Sequence, residues 1–135
     1  MTGRRVLDTV AVPGELGNVT RFVRESCGAP AGADFARLDL IVEELFLNIS
    51  MHACPGEPVR VVCGLVEAGL AELEFLYGGP YFDPTTDAPE PDLDASLAER
   101  PIGGLGLFLV REMAEALDFD CDEGVNRLTA RVRVG

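Results

Sequence analysis

The sequence contains no lysine, and all 11 of its basic residues are arginines. That absence excludes a P-loop lysine, a protein-kinase strand lysine and a Schiff-base lysine. Histidine is nearly absent as well, with His52 alone. The four cysteines, Cys27, Cys54, Cys63 and Cys121, form no Cys-x-x-Cys pair. Zinc spacing is therefore missing, and reduced, partly buried thiols are expected. No apolar run approaches the roughly 20 residues that span a bilayer. The opening Met1-Thr2-Gly3-Arg4-Arg5 leads into a strand-like stretch and not into the apolar region of a signal peptide, so a cytoplasmic location with no membrane partner is expected. Positive charge is scarce, with 11 basic against 23 acidic residues and a net charge of −12. This balance argues against a nucleic-acid binder, which needs a basic face to release counterions. A nucleotide can still be held by backbone amides, a metal ion or arginine.

The chain is 135 residues long, enough for one domain with a real core. Residues 5–12 read as a strand, stopped by Pro13 and Gly14. Leu16, Val19, Phe22 and Val23 recur at helical spacing within 15–27, and Gly28 and Pro30 end that helix. A longer helix is predicted from about 34 to 53, with Leu38, Ile41, Val42, Leu45 and Ile49 as its apolar stripe and Cys54-Pro55-Gly56 as its stop. Strands around 58–66 and 70–77 alternate apolar and polar residues across the short Ala68-Gly69 link, which predicts a hairpin. Residues 83–101 break the pattern with Pro84, Pro89, Pro91, Pro101 and the acids Asp83, Asp87, Glu90, Asp92, Asp94 and Glu99. Too few residues follow for a second domain, so this stretch reads as a lid over a site and not as an interdomain linker. A helix from 103 to about 117 and strands near 118–122 and 126–134 complete a single domain spanning 1–135.

Two constellations carry chemistry. Glu44 and Asn48 lie four residues apart on one helix face, with His52 a turn further on. Such a pair is either a solvated polar stripe or a carboxylate beside an amide oxygen able to coordinate a hard cation such as Mg²⁺. Gly103-Gly104-Leu105-Gly106 opens the late helix. Glycines there let backbone amides approach an anion at the positive end of the helix dipole. By itself a glycine cluster is also consistent with a plain loop-to-helix junction. Gly78-Gly79-Pro80 at a strand end either lines a pocket for a planar ligand or makes a tight turn.

Taken together and in order, these motifs resemble the anti-sigma-factor serine/threonine kinases of bacterial partner-switching systems. That family lies within the superfamily of gyrase, heat-shock chaperone, histidine-kinase and mismatch-repair ATPases. Residues 43–53, Glu-Glu-Leu-Phe-Leu-Asn-Ile-Ser-Met-His-Ala, resemble the family's asparagine box. Residues 78–84, Gly-Gly-Pro-Tyr-Phe-Asp-Pro, resemble its first glycine box, and residues 99–111 its lid end and second glycine box. Asn126-Arg127-Leu128 resembles its closing strand.

The resemblance implies an α/β (α+β) two-layer sandwich, the histidine-kinase-like ATPase (Bergerat) fold: a mixed, mostly antiparallel sheet with helices on one face. It implies ATP and Mg²⁺ as cofactors. Glu44 is implied as the general base that accepts the proton of a substrate serine, and Asn48 as the Mg²⁺ ligand. Gly79 is implied in the nucleotide pocket, and Gly103, Gly104, Leu105 and Gly106 as donors of amides to the phosphates. Arg100 is implied beside the γ-phosphate. The implied partners are an anti-sigma-factor antagonist as substrate and a sigma factor, in transcription regulation. Chains of this family often pair as homodimers.

One position departs from the family pattern. The first glycine box there begins Asp-x-Gly, and the aspartate accepts a hydrogen bond from the adenine amino group; this sequence has Tyr77-Gly78-Gly79. A tyrosine can fill the base pocket or stack on a purine but cannot supply the carboxylate. Three consequences stay open: weakened adenine binding, recognition rebuilt by other groups, or a partner-binding module that no longer uses ATP.

Overall fold

The computed structural model describes residues 3–28, 32–79 and 104–134. Strand β1 (Arg5–Val10) leads through a 3₁₀ turn into helices α1 (Leu16–Ser26) and α2 (Ala36–Asn48), the second continued by a π-helical turn over Ile49–Ala53. Strands β2 (Pro58–Glu67) and β3 (Leu70–Tyr77) follow, then helix α3 (Gly104–Met113) and strands β4 (Ala116–Asp122) and β5 (Val125–Arg133). The lid stretch 83–101 lies outside the described residues.

The five strands form one sheet in the order β1-β2-β3-β5-β4. A mixed, mostly antiparallel sheet was expected, and every pair of described strands runs antiparallel. The β2–β3 hairpin turns at Ala68-Gly69, with a register shift between Leu65 and Glu67.

Period-two alternation divides the sheet into two faces. Val59, Val61 and Cys63 of β2, Leu73 and Phe75 of β3, and Leu128, Ala130 and Val132 of β5 are buried beneath the helices. The helices answer with stripes at 3.6-residue spacing: Val19, Phe22 and Val23 on α1, and Leu38, Ile41, Val42 and Leu45 on α2. Phe46 of α2 meets Phe75 of β3 with ring centroids 6.5 Å apart and planes tilted by 37°. Burying each such large apolar side chain stabilises the fold by about 1.5–3 kcal/mol.

The opposite sheet face carries an arginine–glutamate ladder. Glu72 pairs with Arg131 at 3.0 Å and Arg4 at 3.2 Å, and Glu74 lies 3.6 Å from Arg4 and 3.9 Å from Arg127. Each half-exposed pair is worth at most about 1 kcal/mol. Cross-strand opposition still sets these charges against one another and fixes which face turns outward.

The long helix and the late helix differ from their predicted extents. Regular α-geometry starts at Ala36, where the Asp34 carboxylate accepts the Ala36 amide at 2.9 Å, and it ends at Asn48. The chain then widens, so that the Cys54 amide reaches back to the Ile49 carbonyl at 3.1 Å. Ile49, Ser50 and Ala53 remain buried through this turn, so apolar spacing alone cannot distinguish it from α-helix. The late helix ends at Met113 and not near 117, because the Glu115 amide bonds the Arg131 carbonyl at 2.7 Å and draws the chain into the sheet.

Candidate functional site

The last turn of α2 carries the first pair of site residues. Glu44 is half-buried, and its carboxyl is raised above the ordinary glutamate value by burial first and by the neighbouring Glu43 charge second. Asn48 follows one turn later. Its Nδ2 donates to the Glu44 carbonyl at 2.7 Å. A carbonyl can only accept, so this bond orients the amide: NH₂ toward the helix, Oδ1 away from it. Asn48 therefore presents a hard oxygen beside Glu44, a donor that suits Mg²⁺, a cation that keeps several waters and takes one or two protein oxygens with substrate phosphates. Among the described residues no group of three or more His, Cys, Asp or Glu side chains could hold a metal by itself. A cation at Asn48 would take its remaining ligands from phosphate and water.

The π-turn after Asn48 carries the second part of the site. It ends at Ala53-Cys54, directly against the strand end Gly78-Gly79. Gly79 has φ +86°, in the left-handed region that favours glycine, and a Cβ there would lie 3.5 Å from the Ala53 carbonyl oxygen and 3.6 Å from Cys54 Cβ. A side chain there would make ordinary contact with the helix end, so the backbone angle and not the space calls for glycine. A cavity of about 630 Å³ opens at this junction, lined by Ala53, Cys54, Pro55, Glu57, Pro58, Gly78 and Gly79. That volume lies within the range of small-molecule sites. Burial, with Glu57 adding to it, pushes the Cys54 thiol up, so it stays protonated.

Tyr77 stands immediately before this glycine pair but does not line the cavity. Its side chain is 2% exposed and belongs to the core. In register it sits opposite Val59 on one side and Asn126 on the other. Asn126 is fully buried, and its Nδ2 donates to the Tyr77 carbonyl at 3.2 Å and the Gly78 carbonyl at 3.5 Å. The amide thus ties the first residue pair of the glycine turn to β5.

Gly104, Leu105 and Gly106 form the first turn of α3, so the glycine cluster does open a helix, and that helix packs against α2. Gly103 and Arg100 lie outside the described residues. The structure thus brings Glu44 and Asn48 together, sets Gly79 against the end of the same helix element, and places Gly104–Gly106 on the adjoining helix. It keeps the Tyr77 ring out of the cavity. His52 is exposed on the π-turn. One residue at the site was not singled out from sequence: Glu57, hidden in what read as a helix-stopping turn. Asn126 was marked only as part of the closing strand, and its pairing with Tyr77 needs the β3–β5 register.

Residues 9–132 match the histidine kinase-like ATPase domain family. Over 94 residues the chain is 35% identical to the serine/threonine-protein kinase BtrW of Bordetella bronchiseptica, a stretch covering 68% of this chain and 66% of that protein. Among solved structures, the mycobacterial sensor histidine kinase MprB superposes with a TM-score of 0.50 at 19% identity, over 96% of this chain and 98% of that one. At that identity the likeness concerns the fold alone. No helix of the described residues is long and apolar enough to cross a membrane.

Proposed function

The chain belongs to the histidine-kinase-like ATPase domain family, and from that premise we propose that it is an ATP- and Mg²⁺-dependent protein serine/threonine kinase of the anti-sigma-factor type. The observation that carries this reading is the Glu44–Asn48 pair. The Nδ2 bond to the Glu44 carbonyl aims Asn48 Oδ1 outward, beside a carboxyl whose affinity for a proton is raised. A phosphoryl transferase needs both: an oxygen ligand for the cation that offsets phosphate charge, and a base for the acceptor hydroxyl. Glu44 accepts the proton of a substrate serine or threonine, and its raised pKa makes it a stronger base than an ordinary carboxylate. Asn48 holds Mg²⁺, which supplies charge neutralisation at the phosphates. Amides of Gly103–Gly106 cradle those phosphates, and Arg100 adds positive charge.

The protein substrate in this reading is an anti-sigma-factor antagonist. A sigma factor is the competing partner, and the chain acts as a homodimer. The similarity to a protein named as a serine/threonine kinase supports the activity, and the partners rest on the motif resemblance.

A second reading is a partner-binding module without catalysis. One observation favours it: position 77 carries a buried tyrosine in place of a base-reading carboxylate. Calorimetric titration with Mg²⁺-ATP, followed by radiolabelled phosphate transfer to a candidate antagonist, separates the two. Binding and transfer support the kinase. No binding at millimolar nucleotide sinks it.

A further inference from the structure

Resting on that nucleotide-binding reading, we propose that Glu57 reads the base: its carboxylate accepts a hydrogen bond from the exocyclic amino group of a 6-aminopurine seated between the end of α2 and Gly78-Gly79. The tyrosine at 77 cannot do this, since its ring is buried in the core and does not line the cavity. Of the residues that do, Ala53, Pro55, Pro58, Gly78 and Gly79 have no polar side-chain atom, and Cys54 offers only a weakly polar thiol. Among the described residues Glu57 is the one strong side-chain acceptor in this wall.

Its backbone is held in place. The Glu57 amide donates to the Cys54 carbonyl at 3.0 Å, closing a turn with Pro55 and Gly56 at its centre and φ +77° at the glycine. Proline followed by a left-handed glycine is the pattern of a type II turn. The turn is then bonded to the segment after β1 on both sides: the Gly56 amide to the Ala11 carbonyl at 2.9 Å, and the Ala11 amide to the Glu57 carbonyl at 2.8 Å. A side chain on a turn pinned three ways loses little backbone freedom on binding. The effect of the Glu57 charge on the Cys54 thiol agrees with a carboxylate lying against this wall.

An ionised carboxylate only accepts. It therefore favours a purine with an amino group at this edge and opposes one with a carbonyl oxygen there. The test measures ATP and inosine triphosphate affinities, with Mg²⁺, for the full chain and for Glu57→Ala and Glu57→Gln, with thermal melts to establish folding. Wild type should prefer ATP by about tenfold or more, the size of one hydrogen bond to a charged group. Glu57→Ala should weaken ATP by that factor and leave inosine triphosphate unchanged. Glu57→Gln, which can donate to a carbonyl, should narrow the preference. An ATP-to-inosine-triphosphate ratio that Glu57→Ala leaves unchanged overturns this inference alone. Failure of the wild-type chain to bind either nucleotide overturns the nucleotide reading, and this assignment with it.

Discussion

Ser50 offers a prediction that runs against the usual effect of a core substitution. It lies in the π-turn two residues after Asn48, is 3% exposed, and its Oγ meets no hydrogen-bond partner among the described residues. A buried hydroxyl without a partner costs about 1–3 kcal/mol in lost hydration. Ser50→Ala removes that cost. The space vacated is smaller than a methyl group, which limits the packing loss to less than about 1 kcal/mol. The net expectation is a gain of about 1 kcal/mol, or a Tm rise of roughly 3–5 °C for a domain of this size. Calorimetry reads the Tm. Urea titration should show a higher midpoint at an unchanged slope, since the surface exposed on unfolding hardly changes. A lower Tm or midpoint refutes the reasoning, because the hydroxyl would then be contributing a satisfied bond.

Three further outcomes test other parts of the molecule. Glu44→Gln should slow phosphate transfer by about 10²–10⁴-fold with ATP affinity retained, and the wild-type rate should fall on acidification at a pH above the ordinary glutamate range, read from a pH–rate profile. Because the Glu44 pKa is raised on folding, its stabilising contribution is complete below the unfolded pKa and lost as pH rises through the folded one. Melts should accordingly show Glu44→Gln gaining on wild type at neutral pH and losing that gain in acid. Tyr77→Asp should destabilise the chain by about 3–5 kcal/mol in a urea titration, since it empties a fully packed core position and buries a carboxylate; a midpoint close to wild type would show that the ring is not a core element. Asn126→Ala should cost about 2–3 kcal/mol in the same assay by leaving the Tyr77 and Gly78 carbonyls without their amide donor, and amide exchange should accelerate at the glycine turn if the clamp is real.

The sequence by itself determined the layers and the helix that bears Glu44 and Asn48. Alternation in 58–66, 70–77 and 126–134 specified which residues of each strand are buried, because side chains on a strand must take opposite faces. Four-residue spacing placed Glu44 and Asn48 together, because a helix turn is a local rule. Glycines 104 and 106 marked a helix start for the same local reason. What only the tertiary structure decided depends on partners distant in the chain. The widening of α2 after Asn48 leaves the apolar spacing intact, and so has no signature in the sequence. The early end of α3 follows from a bond between Glu115 and Arg131, which no local pattern contains. The wholly antiparallel pairing of the described strands is likewise a matter of which strands meet. Tyr77 shows the division most plainly. Its sequence position suggested a ligand contact, while its inward place on β3 and the register with Asn126 put its ring in the core. Among the described residues the only strongly accepting side chain left in the cavity wall is Glu57, on a turn that two bonds to Ala11, 46 residues away, hold in place.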